Sequence, residues 1–346
     1  MSLPSLPYIV ISIIWFALIA YAAFGGADFG AGIWDLLAVG SQKEHQHQLI
    51  DRALGPVWET NHVWLVFLVV GLFSGFPVPF AAIATVLFIP LTLALIGSVL
   101  RGSAFIFRTH GLHAQKPAFR VWSRVFSLSS LITPFFLGLS AAAVAGGQIR
   151  VGHGPNVTDL GSLWLTPFAL TIGAMSVMLC ATLAAIYLTV EATNNSEHDL
   201  AEAFRIRGLI SGAVMALLGL LGLWLSLSAA PLLWHGMLNH AWPLVIATML
   251  IGICAAGTLF FRYYLLARFF IVLETAFLLG SWGVSQVPYL VPPDVTVESS
   301  AGAPSTLLLL VIGVSIGLCI ILPSIWFLFY IFKVKGGVRL FERSAS

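Results

Sequence analysis

The chain has 346 residues, of which 59% are hydrophobic and 9% charged, and its formal net charge is +2. Soluble domains carry roughly 25% charged residues. A water-soluble fold is therefore excluded, and lipid must be the solvent for most of the chain.

A spanning helix needs about 20 mainly apolar residues. Nine stretches qualify, near 8–38, 57–75, 79–102, 121–146, 163–190, 207–228, 241–261, 265–286 and 305–332, which predicts an all-α polytopic membrane protein. The first stretch has no basic segment before it, since the first Lys or Arg is Lys43, and its apolar run from Tyr8 to Phe24 continues past any cleavage point. It reads as a retained span, long enough to tilt or to run into the interface. Its second half, Gly25-Gly26-Ala27-Asp28-Phe29-Gly30-Ala31-Gly32, lets a neighbouring backbone approach closely. Ser41 to Leu54 mixes charges with Leu49, Ile50 and Leu54 and is expected along the cytoplasmic interface. Cys180, Cys254 and Cys319 lie in apolar runs without metal or redox spacing and read as small packing residues. Between 286 and 305, Pro288, Pro292, Pro293 and Pro304 argue against regular helix. The spans divide into a four-helix group over 1–146, a second over 147–286, and a last helix with its tail over 287–346.

Charge placement supports this count. With the N-terminus outside and the C-terminus cytoplasmic, 15 of the 16 Lys and Arg residues fall on the cytoplasmic side, and Arg150 alone falls outside. A miscounted span would scramble that asymmetry.

An ionisable residue inside a membrane is costly, roughly 2.5–3.5 kcal/mol at the centre on insertion scales, and so is a functional candidate. Asp28, Glu59, Arg101 and Glu274 meet this test. Asp28 lies about 15 Å inside the first span and is expected either to pair with Arg101 or to serve function directly. Glu59 opens the second span, just after Pro56, where a carboxylate favours the positive helix end. Its neighbours Trp58, Asn61, His62 and Trp64 suggest a wet entrance. His62 is the only histidine inside a span, so a bis-histidine haem within this chain is not expected. Glu274, in Val272-Leu273-Glu274-Thr275-Ala276, is expected to pair with Arg268 or Arg262 or to stand as an uncharged acid. No P-loop, dinucleotide fingerprint, metal-binding spacing or nucleic-acid patch is present.

Two motifs carry a resemblance. Gly26-Ala27-Asp28-Phe29-Gly30-Ala31-Gly32 resembles the first-helix glycine/aspartate motif of cytochrome bd subunit II. Pro56-Val57-Trp58-Glu59-Thr60-Asn61-His62-Val63-Trp64 resembles that family's second signature, and Arg101 matches the arginine after its third helix. Thr166-Pro167-Phe168 and the Pro288 to Pro293 segment are weaker matches. Glu59 stands where the family often has aspartate, Ala27 where many members carry phenylalanine, and Glu274 matches no motif of the family.

The resemblance implies a subunit of a quinol:oxygen oxidoreductase in the bacterial inner membrane. Haem b and haem d would be ligated by subunit I, with none held by this chain, and a bound quinone and a small accessory subunit are compatible with it. Subunit II would scaffold subunit I and contribute to proton and oxygen access. Glu59, Asp28, Asn61, His62 and Glu274 are then proton-path candidates, and Trp64 a candidate for oxygen access. The alternative is a proton-coupled secondary transporter using Asp28, Glu59 and Glu274. Such folds carry repeats with interrupted helices, and the glycine run around Asp28 has no counterpart in the second half.

Overall fold

The computed structural model describes residues 6–38, 43–54, 58–108, 117–150 and 160–329. α1 (Leu6–Ala20) and α2 (Gly26–Leu36) are joined by a π-helical turn at Tyr21–Gly25 and run together as one apolar rod of 31 residues. At 1.5 Å per residue the rod is longer than a hydrocarbon core of about 30 Å, so it must tilt or reach the interface. α3 (Lys43–Leu54) is the amphipathic helix expected there: Leu49 and Ile50 are fully buried against its neighbours, while Lys43 and Glu44 are exposed.

The next segment departs from the expected pair of spans at 57–75 and 79–102. It forms α4 (Trp58–Gly75), α5 (Pro77–Val86) and α6 (Phe88–Ile106), and α4 and α5 meet at a bend of 118°. Proline restricts the residue before it to extended conformations. Phe76, just before Pro77, accordingly has φ −140° and ψ 69°, which ends α4. Pro90 causes the second break. It lacks the N–H that would bond the Val86 carbonyl and its ring crowds that carbonyl, so the helix restarts after Leu87.

α7 (Pro117–Ala145) returns across the bundle, and the one-turn α8 (Leu160–Trp164) precedes α9 (Pro167–Asn194). The start of α9 follows from its sequence: Thr166 is extended, its hydroxyl accepts from the Ala169 N–H at 3.1 Å, and Pro167 fills the first helical position. α10 (His198–Ala229) follows, and α11 (Pro231–Gly236) leads through a second π-turn at Met237–Ala241 into α12 (Trp242–Phe260). After α13 (Tyr264–Gln286) the prolines leave no helix. β1 (Tyr289–Val291) instead pairs antiparallel with β2 (Val295–Thr296), before α14 (Pro304–Phe329).

Within the described residues each of the nine apolar stretches overlaps helix, but 79–102 runs across the break between α5 and α6. Among the described residues seven helices are long and apolar enough to cross a membrane, and the bent α4–α5 pair makes an eighth if counted as one; α14, taken over Pro304–Ile320, is shorter.

α2 is the centre of the packing, pressed between α7 and α9. Its glycines allow this: a Cβ on Gly30 would run into the Cys180 carbonyl of α9, and one on Gly32 into Ser130 of α7. Phe29, Ile33 and Trp34 fill the remaining space against Phe126, Leu188 and Phe204.

Candidate functional site: a buried polar layer on α2

Asp28 and Asp35 lie seven residues apart on α2, so two turns and about 10 Å separate them on one face. Asp28 is 3% exposed and accepts a hydrogen bond from the Asn61 side-chain amide of α4. The same amide donates to the Phe24 carbonyl at 3.4 Å, inside the π-turn. A π-turn displaces backbone carbonyls from their usual partners, and Asn61 reaches one of them.

Arg101 on α6 is 1% exposed. Its guanidinium lies 4.9 Å from the Phe29 ring centroid and 5.4 Å from that of Phe126, a cation–π arrangement. The direct Asp28–Arg101 ion pair expected from the sequence is not formed: no Arg101 nitrogen comes within 4.0 Å of an Asp28 oxygen. Asn61 takes up the carboxylate and the two rings hold the guanidinium, so the charges attract across a gap. Arg101 Nε and Nη2 and the buried Tyr21 hydroxyl have no hydrogen-bond partner among the described residues. Unsatisfied buried donors of this kind are ordinarily met by water.

The ion pairs of this layer lie at its α3 end. Arg108 donates to Asp35 at 2.7 Å and to Asp51 of α3. Asp35 also accepts from Ser127 Oγ at 3.0 Å and meets His47 Nδ1 at 2.5 Å. Burial raises the Asp51 carboxyl above its ordinary range, and the Arg108 charge offsets this only in part. Burial also works against the Arg108 cation, but Asp35 and Asp51 outweigh it and hold the group above its ordinary value. None of these five residues stood out in the sequence. The signal for Asp35 was its seven-residue spacing from Asp28; Arg108 looked like one more loop cation, yet it is buried.

Of the remaining candidates, His62 engages Ser98 Oγ through Nε2 at 3.3 Å, and Trp64 is half-buried, edge-on to Phe16 at 6.4 Å. Glu59 falls in the first turn of α4, and its side chain lies outside the described residues. Glu274 is on α13, apart from this layer and buried. Neither expected partner reaches it: Arg268 lies over the Tyr187 ring at 4.2 Å, and Arg262 meets Glu202 at 3.4 Å. Among the described residues no three His, Cys, Asp or Glu side chains gather as a metal site.

Residues 6–332 match the family model of cytochrome bd terminal oxidase subunit II. A Bacillus subtilis protein described as a candidate cytochrome bd menaquinol oxidase subunit II is 26% identical over 334 residues, 94% of each chain. Cytochrome bd-I ubiquinol oxidase subunit 2 of Escherichia coli is 24% identical over 226 residues, 61% of this chain and 57% of that one. The fold is similar to that of the bd oxidase from Geobacillus thermodenitrificans, with a TM-score of 0.75 at 23% identity, covering 95% of this chain and 98% of the other.

Proposed function

The chain belongs to the cytochrome bd terminal oxidase subunit II family, and on that premise we propose that it holds the haem-bearing subunit I in place and supplies part of the proton path to it. As a member it is a membrane-spanning subunit of a respiratory quinol oxidase, which passes electrons from quinol to oxygen. Haem b and haem d belong to subunit I in this reading. The residues here do not suit a haem: His62 is the only histidine inside the nine apolar stretches read from the sequence, and its Nε2 is engaged by Ser98. The membrane is the bacterial cytoplasmic one. The N-terminus is outside and the C-terminus inside, with α4 and α14 completing nine crossings, a topology supported by the 15 of 16 basic residues on one side.

One observation carries the proton path: Asn61 joins the buried Asp28 carboxylate to the opened π-turn, beside Arg101 donors that water would satisfy. Glu59 is the entry group, two residues before Asn61 on the same helix. A relay residue must both bind and release a proton, which glutamate does and glutamine cannot. Trp64, beside Phe16, is the position for oxygen access.

The test is quinol oxidase turnover per assembled haem in the purified complex. Glu59→Asp should retain most activity and Glu59→Gln should lose most of it, with unchanged haem content in both. Equal turnover for Glu59→Gln and the wild type from acidic to alkaline pH would sink the relay.

A further inference from the structure

The second helix group is built around a space. α9 packs along α10 and α12 along α13, and between these pairs lies a cavity of about 590 Å³. That volume is typical of sites for drug-sized ligands, about 300–1,000 Å³. Glycines on α10 open its wall, among them Gly212 and Gly219.

Glu274 stands on this wall halfway along α13, 8% exposed, with no hydrogen bond or ion pair to any described residue. Gly252 of α12 faces it. A Cβ there would come 2.7 Å from Glu274 Oε1, so the carboxyl has room because position 252 is glycine. The cavity is otherwise apolar, and the hydrogen-bonding sense of its few polar groups is uniform. Ser176, Thr182, Ser226, Thr248 and Ser281 each donate their hydroxyl to a backbone carbonyl, and the Trp282 indole N–H donates to Gln286. Among the described residues no Lys, Arg, His, Asn or Gln lines it. Only lone pairs remain, and the Glu274 oxygens are the strongest of them.

We propose that this cavity binds a lipophilic amine, with its ammonium on Glu274 and its apolar body between the two helix pairs. An ammonium brings both what the carboxylate lacks, a counter-charge, and what the wall lacks, hydrogen-bond donors. A ligand whose polar atoms are carbonyl oxygens brings acceptors to a wall of acceptors. The inference is independent of the proton path on α2.

The experiment uses the purified complex in lipid nanodiscs, titrated with radiolabelled dodecylamine, with binding to empty discs subtracted. The expected result is saturable binding at a single site per chain, displaced by unlabelled amine and unaffected by dodecanol. Glu274→Gln should weaken binding at least tenfold. Gly219→Leu should remove it with Glu274 intact, because a Cβ at that position meets nothing nearer than Met175 Sδ at 3.7 Å and the added side chain enters the cavity. If Glu274→Gln fails to assemble, Gly219→Leu decides alone. Absence of saturable binding, equal affinity in wild type and variants, or displacement by a short-chain quinone but not by amine overturns the proposal.

Discussion

The α2 layer and the α9–α13 cavity solve the same problem in opposite ways. Both bury ionisable groups among helices that face lipid. Around α2 the charges are enclosed by partners: Arg108 bridges two carboxylates, and Arg101 lies between two rings. Around Glu274 there is no partner among the described residues, only room. Glycine serves both arrangements. Gly30 and Gly32 remove a Cβ so that backbones can touch, whereas Gly219 and Gly252 remove one so that space remains. The lesson is that a glycine-rich membrane helix specifies distance, and the facing helix decides whether that distance is used for contact or for a cavity.

The contrast predicts very different costs of mutation. The largest should follow Arg108→Ala, which strands Asp35 and Asp51 without their cation; breaking a buried pair costs about 3–5 kcal/mol. Its measure is the yield of assembled, haem-containing complex, and near-normal yield would mean the cluster is not holding the fold. Next is Gly30→Val, which drives α2 off α9; overpacking of this kind costs about 1–3 kcal/mol, seen as a lower midpoint of thermal unfolding. Val in place of Gly219, by contrast, should leave that midpoint close to wild type. Glu274→Leu should be neutral or stabilising, because it removes a buried acid that has no partner to lose. A marked fall in melting temperature for Glu274→Leu would erase the distinction between the two regions. The smallest effect belongs to Arg150→Ala. Its pair with Asp294 at 2.9 Å is exposed, and such pairs contribute about 0.2–1 kcal/mol.

Much of this was legible in the residues. Apolar length located the long helices, Thr166-Pro167 marked the start of α9, and the prolines after Gln286 excluded helix there. Phe76-Pro77 and Pro90 also carried their signals, but a hydropathy window averages over them, so α5 was absorbed into its neighbour. The site was read less well for a different reason. Asp28 and Arg101 were recognised by depth in the membrane, which says that a charge is buried without saying who meets it. Asp35 and Arg108 lie near span ends, where charge is inexpensive, and only tertiary packing shows that α3 folds over and buries them. The cavity left no trace in the sequence, since its Gly, Ala and Met residues are those that also make tight contacts.

The π-turn at Tyr21–Gly25 sets the angular phase of everything after it. A straight α-helix advances by about 100° per residue, so one residue held in a wider turn offsets the downstream face by that angle. Without it, the azimuth of Asp28 and Asp35 would swing away from α4, α6 and α7 while the apolar character of the rod stayed the same. Hydropathy is blind to such a rotation. Deleting a single residue from the turn would therefore preserve the span and misdirect its charges, which makes five residues at the middle of the first helix the rotational index of the whole polar layer.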